Sequence, residues 1–82
     1  MSEHLEELKS ILGTALQIGE RVEGFDENTA LLGSIPELDS MAVVTVITSI
    51  EEHYGIVVED DEISADVFET LGSLARFVEQ KM

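Results

Sequence analysis

The chain has 82 residues, 44% of them apolar, with three Phe, one Tyr and neither Trp nor Cys. A chain this short buries only ~60–65% of its unfolded surface, enough for one modest aliphatic core and no deep catalytic cavity, and the absence of cysteine excludes disulfides, thiolate metal sites and a cysteine nucleophile. Eighteen acidic against four basic residues give a formal net charge of −14, which makes nucleic acid a poor partner and favours encounter with basic patches on other proteins.

From Ser2 to about Leu16, Leu5, Leu8, Leu12, Ala15 and Leu16 recur at helical spacing, with Ile11 at the edge of the stripe; this predicts an amphipathic helix. Ser2 is the candidate cap, and Glu3, Glu6 and Glu7 fall in the first turns, where the helix dipole favours negative charge. The opening Met1-Ser2-Glu3-His4 lacks the basic start and apolar run of a signal peptide. No apolar stretch reaches the ~20 residues needed to span a membrane, so a cytoplasmic location is expected.

No single period holds from about Gln17 to Asp39, about 23 residues bracketed early by Gly19 and Gly24. Compact domains keep few loops of that length without a purpose. Phe25, Leu31, Leu32, Ile35 and Leu38 punctuate it, so it is expected to pack over the helices, with a short helical turn near Thr29 to Leu32. Pro36 holds Ile35 extended.

Ser40 to about Tyr54 is rich in β-branched residues, and propensity alone favours a strand. Helical spacing places Val43, Ile47, Ile50 and Tyr54 on one side; Asp39 or Ser40 can cap the start, and Gly55 can stop the end. A strand there has no hairpin turn and no evident partner, so a helix is expected. Ile56-Val57-Val58 is a short link, and Glu59-Asp60-Asp61-Glu62 leads into a brief helix through about Val67. Thr70 caps a last helix to about Gln80, with Leu71, Leu74, Ala75 and Val78 on one face. Gly72 inside that helix costs about 1 kcal/mol relative to Ala. The expected fold is an all-α, small four-helix bundle, three main helices and one short, with a long structured loop between helices 1 and 2, forming one domain over residues 1–82.

The segment Leu38-Asp39-Ser40-Met41 stands at the head of the second main helix. A serine oxygen in the first helical turn lies near backbone N–H groups without intrahelical partners, and a phosphate attached there is stabilised by those donors and by the dipole. Asp39 beside it could help to hold a divalent cation during phosphoryl chemistry. The plainer role for both residues is a helix cap.

In these residues the chain resembles the acyl carrier protein family, which includes peptidyl and related carrier domains. The resemblance spans essentially the whole chain. It rests on Leu32-Gly33, on Asp39-Ser40-Met41 matching the family's Asp-Ser-Leu, on Ile50-Glu51-Glu52 and Tyr54-Gly55-Ile56, on the acidic short helix, and on Thr70-Leu71 with Leu74. It implies that Ser40 carries a covalent 4′-phosphopantetheine arm, delivered from coenzyme A by a phosphopantetheinyl transferase using Mg²⁺, whose thiol holds acyl groups as thioesters. It also implies that Asp39 and Met41 flank the attachment point. Glu37, Met41, Val46, Glu51 and Glu52 are then candidate contacts for acyl-loading and acyl-using enzymes with basic docking patches, met by a monomeric carrier. An aminoacyl or peptidyl carrier, and an acidic interaction module with no prosthetic group, are the alternatives. Two departures bear on the pathway more than on the attachment chemistry: the long Ser34-Ile35-Pro36-Glu37-Leu38 link, and Met41 in place of Leu.

No catalytic residue and no dedicated metal site is expected. A serine nucleophile needs a base within hydrogen-bond reach, and His53 lies thirteen residues further along the predicted helix, ~20 Å away at 1.5 Å per residue. His4 shares no motif with Ser40; both histidines read as exposed or half-buried surface residues. An EF-hand count from Asp26 places Ala30 and Leu31 where a ligand and a glycine are required. Val43, Ile47, Ile50, Ile63, Phe68 and Leu71 are candidates to line an acyl site between the helices, and ordinary core packing is the simpler role of each.

Overall fold

The computed structural model describes residues 4–82 apart from the Asp60 side chain. Three α-helices carry the architecture: α1 (His4–Ala15), α2 (Ser40–Tyr54) and α3 (Leu71–Lys81), with short 3-10 helices at Gly19–Gly24 and Asp60–Glu62. The predicted cap Ser2 and first-turn Glu3 lie outside the described residues.

α1 packs against α2, α3 and the first 3-10 helix. Its leucine stripe is buried, with Leu5, Leu8 and Leu12 each 2% exposed or less. The core they join is aliphatic apart from Phe68, and among the described residues no polar or charged side chain is buried. Removing such apolar surface from water is the main force holding the helices together, roughly 25 cal/mol per Å².

The long loop is structured, as its apolar residues require, but not as a helical turn at 29–32. Val22, Leu31, Ile35 and Leu38 are buried in the common core. The stretch around Ala30 runs antiparallel beside Thr70 as an isolated β-bridge. The N–H groups of Leu31 and Leu32 donate to the carbonyls of Glu69 and Phe68, and those of Leu71 and Gly72 donate to Thr29 and Glu27. The loop thereby satisfies two of the N–H groups that the start of α3 leaves without intrahelical partners. Gly72 is what permits the approach: a Cβ there stands 2.7 Å from the Glu27 carbonyl oxygen.

The predicted helix through Val67 is shorter than expected. Only Asp60–Glu62 is helical, of the 3-10 type; Ser64 to Glu69 continues as overlapping turns. Gly55 ends α2 in the left-handed conformation, φ 67°, with its N–H on the Glu51 carbonyl. Thr70 and Ser73 form a reciprocal capping box on α3, each side chain accepting the other's backbone N–H at 3.0 Å.

Candidate functional site

Asp39, not Ser40, is the cap of α2. Its backbone is extended, and its Oδ1 accepts the N–H of Ala42 at 2.8 Å. The first intrahelical bond runs from the Val43 N–H to the Asp39 carbonyl, at 2.9 Å. Ser40 is therefore the first helical residue and is exposed, at the end of the helix where backbone N–H groups lack intrahelical partners and the dipole is positive.

Buried residues centre α2 on Val46, Ile47 and Ile50, all 5% exposed or less. The opposite stripe, Met41, Val44, Thr45, Thr48 and Glu52, faces outward. Val46, expected among the docking contacts, is 0% exposed and belongs to the core. That expectation is corrected: a partner reaches Val46 only by opening the bundle. Val44 stands on the outward face instead, 58% exposed beside Met41 at 75%. A three-and-four count from Met41 through Val44 and Thr48 to Glu52 would have found it.

The other candidates differ in what already engages them. Glu37 is exposed, and the Arg21 guanidinium donates to it; that bond, with one from its own backbone N–H, holds its carboxyl below the ordinary glutamate range. Glu51 is half-buried, and one of its oxygens accepts the Val58 N–H at 2.8 Å, tying the end of α2 to the link that follows. Glu52 is exposed.

Beside Ser40 lies an open groove of about 300 Å³, lined by Leu32, Ser40, Val43, Ile63, Ser64, Ala65 and Phe68. Of the six residues considered for an acyl site, Val43, Ile63 and Phe68 are on this groove. Ile47, Ile50 and Leu71 are not; they fill the core. Leu32, 44% exposed, forms part of the groove although the sequence reads it as a packing residue of the loop. The groove is apolar except for Ser40 and Ser64, so it suits an uncharged chain anchored at its serine rim.

The two histidines converge on Glu7, not on Ser40. His4 Nδ1 lies 3.1 Å and His53 Nε2 3.7 Å from the Glu7 carboxylate, and the Tyr54 hydroxyl donates to it at 3.0 Å. The bond to His4, then that to Tyr54, lowers the Glu7 carboxyl from its ordinary value; burial, then the bond to Glu7, raises the Tyr54 hydroxyl. A wider depression of about 470 Å³ between α1 and α2 includes Glu7, Glu52 and His53 and shares no residue with the Ser40 groove. Both imidazoles are thus placed at Glu7, and neither lines the groove beside the serine.

The family model described as "Phosphopantetheine attachment site" matches residues 6–78. The chain is also similar to a holo acyl carrier protein from Nitrosomonas europaea, solved by solution NMR. The two are 59% identical, the match covers 98% of this chain and 96% of the other, and the TM-score is 0.91. A comparison with curated proteins finds no match.

Proposed function

Because the chain belongs to the acyl carrier protein family, built around a phosphopantetheine attachment site, we propose that Ser40 is the residue that bears its arm. The protein is a carrier used by other enzymes, with a covalent 4′-phosphopantetheine group whose thiol holds acyl groups as thioesters. The observation that carries the assignment to Ser40 is its exposure at the first position of α2, on the rim of an apolar groove.

The residues around it fit such a group. Asp39 fixes the helix start through Ala42. The N–H groups at that start, with the dipole behind them, stabilise the charge of a phosphodiester on Ser40. Leu32, Val43, Ile63 and Phe68 offer an apolar surface to whatever chain the arm holds. Met41 and Val44 supply an apolar centre for docking, with Glu37, Glu51 and Glu52 as its acidic surroundings. On a chain of net charge −14 these acids steer basic partners toward the serine and act mainly on association rate. Members of this family work with transferases and with acyl-using enzymes; a phosphopantetheinyl transferase, basic docking patches on the acyl-handling enzymes, a monomeric state and a cytoplasmic setting complete the reading. Among the described residues no helix is long and apolar enough to cross a membrane.

The test is a mass measurement after incubation with coenzyme A, Mg²⁺ and a broad-specificity transferase. One added phosphopantetheine in the wild type and none in Ser40→Ala is expected. The same gain in both proteins, or none in folded wild type across several transferases, contradicts the assignment.

A further inference from the structure

The outer wall of the groove is the segment from Ile63 to Phe68, and few polar bonds fix it. Within it the backbone bonds are local turns, Val67 to Ser64 and Phe68 to Ala65. At its far end the wall is held directly: the Leu32 N–H donates to the Phe68 carbonyl, Ser73 Oγ donates to the Val67 carbonyl at 2.9 Å, and the Leu31 N–H donates to Glu69 just after it. Before its near end, Glu51 holds the Val58 N–H. Between Val58 and Val67, among the described side chains, the polar contact to a helix is made by Glu62, immediately before the wall. Lys81 Nζ, in the last turn of α3, donates to both oxygens of Glu62 at 2.8 and 2.7 Å. The two side chains are 26% and 31% exposed, so the pair is less screened than a fully exposed one. Glu62 Oε1 also accepts the Glu59 N–H at 3.0 Å, which makes Glu62 the cap of the turn leading into the wall. The bond to Lys81, then that to Glu59, holds the Glu62 carboxyl below its ordinary range.

We propose that Lys81 is a positioning residue for the groove: through Glu62 it latches the Ile63–Phe68 wall against the bundle, so that this one ion pair sets how readily the space beside Ser40 opens. The purpose of the latch rests on the carrier reading, since an acyl chain is what such a groove would admit. Its existence rests on the contacts alone. Segments held by few bonds open locally without global unfolding, and hydrogen exchange reads that opening residue by residue.

The experiment is amide hydrogen exchange, followed by NMR, on the full unmodified chain. It needs no loading, so its outcome is separate from the outcome at Ser40. In Lys81→Gln the hydrogen-bonded amides of the wall, Val67 and Phe68, should exchange roughly fivefold faster, while those in the middle of α1 and α2 do not change. Glu62→Gln keeps an oxygen for the Glu59 N–H and loses the charge pair, so it should reproduce the effect, and the double variant should add nothing further. Lys81→Arg should restore slow exchange. Lys9→Gln makes the same change in net charge at the Glu6 contact on α1 and should leave Val67 and Phe68 as in the wild type. Unchanged exchange at Val67 and Phe68 in Lys81→Gln, or an equal rise throughout the molecule, overturns the latch.

Discussion

The Asp39 carboxylate and the Ala42 N–H, 2.8 Å apart, decide where α2 begins and therefore where Ser40 stands. Asp39 takes the capping role, which leaves the serine hydroxyl free of any duty in holding the helix together. Replacing a capping Asp by Ala removes about 1 kcal/mol (range ~0.5–2). Asp39→Ala should therefore lower the melting temperature by roughly 4–8 °C, and Asp39→Asn, which keeps an acceptor, by less. Ser40→Ala should melt within a few degrees of the wild type. Circular dichroism melts of the three variants check this; a loss at Ser40→Ala as large as that at Asp39→Ala contradicts the division of roles.

Gly72 gives the second prediction. Helix propensity alone expects Gly72→Ala to stabilise α3 by about 1 kcal/mol. The structure expects the reverse, because the new methyl would meet the Glu27 carbonyl oxygen, a backbone atom, at 2.7 Å. Forcing such a contact costs about 1–3 kcal/mol. Gly24→Ala is the control: nothing lies within 4 Å of its Cβ position and its φ is not positive, so it should be neutral or slightly stabilising. Urea denaturation of both variants reads the difference in sign.

Gly72 also marks where sequence reasoning ran out. The helices were legible because leucines and valines repeat at three and four: α2 runs from Ser40 to Tyr54 as the pattern and Gly55 indicate, despite its β-branched composition. Thr70 was legible as a cap for the same local reason. The Ala30–Thr70 bridge was not, because it joins residues forty apart in the chain and leaves no periodic trace. The same contact explains a glycine that the sequence alone can only score as a defect. The first 3-10 helix was missed because six residues with one buried side chain, Val22, carry no amphipathic repeat. Val46 was misplaced because the stripe counted from Val43 through Ile47 and Ile50 leaves it beside the core; in the bundle α2 turns so that Val46 points at its centre. At the site, the serine was legible from its neighbours in sequence, whereas the groove draws Leu32, Val43 and Phe68 from three separate stretches.

Acid should unfold the protein through three carboxylates that the fold holds below the ordinary glutamate value of 4.5: Glu7 through its bonds to His4 and Tyr54, Glu37 through Arg21, and Glu62 through Lys81. A carboxyl lowered in the folded state contributes stability that is present above its unfolded value and lost as pH falls through the folded one. From pH 7 toward about 5, protonation elsewhere relieves the repulsion of a net −14 chain and should raise stability; below about 4.5 the three paired groups should reverse the trend. Glu37→Gln should melt somewhat lower near neutrality and converge on the wild type in acid, so that its acid limb is flatter. Melting temperature against pH between 3 and 7.5 checks both limbs. A curve that rises monotonically to pH 3, or an identical acid limb in Glu37→Gln, contradicts this ion-pair account.

The most direct test of the carrier account is to locate the added group. After loading with coenzyme A, the protein is digested and fragmented in a mass spectrometer under conditions that keep the phosphodiester. The account predicts the phosphopantetheine on Ser40 alone, with Ser34, Thr45 and Ser49 unmodified. Finding it on any of those three while Ser40 stays bare would contradict it.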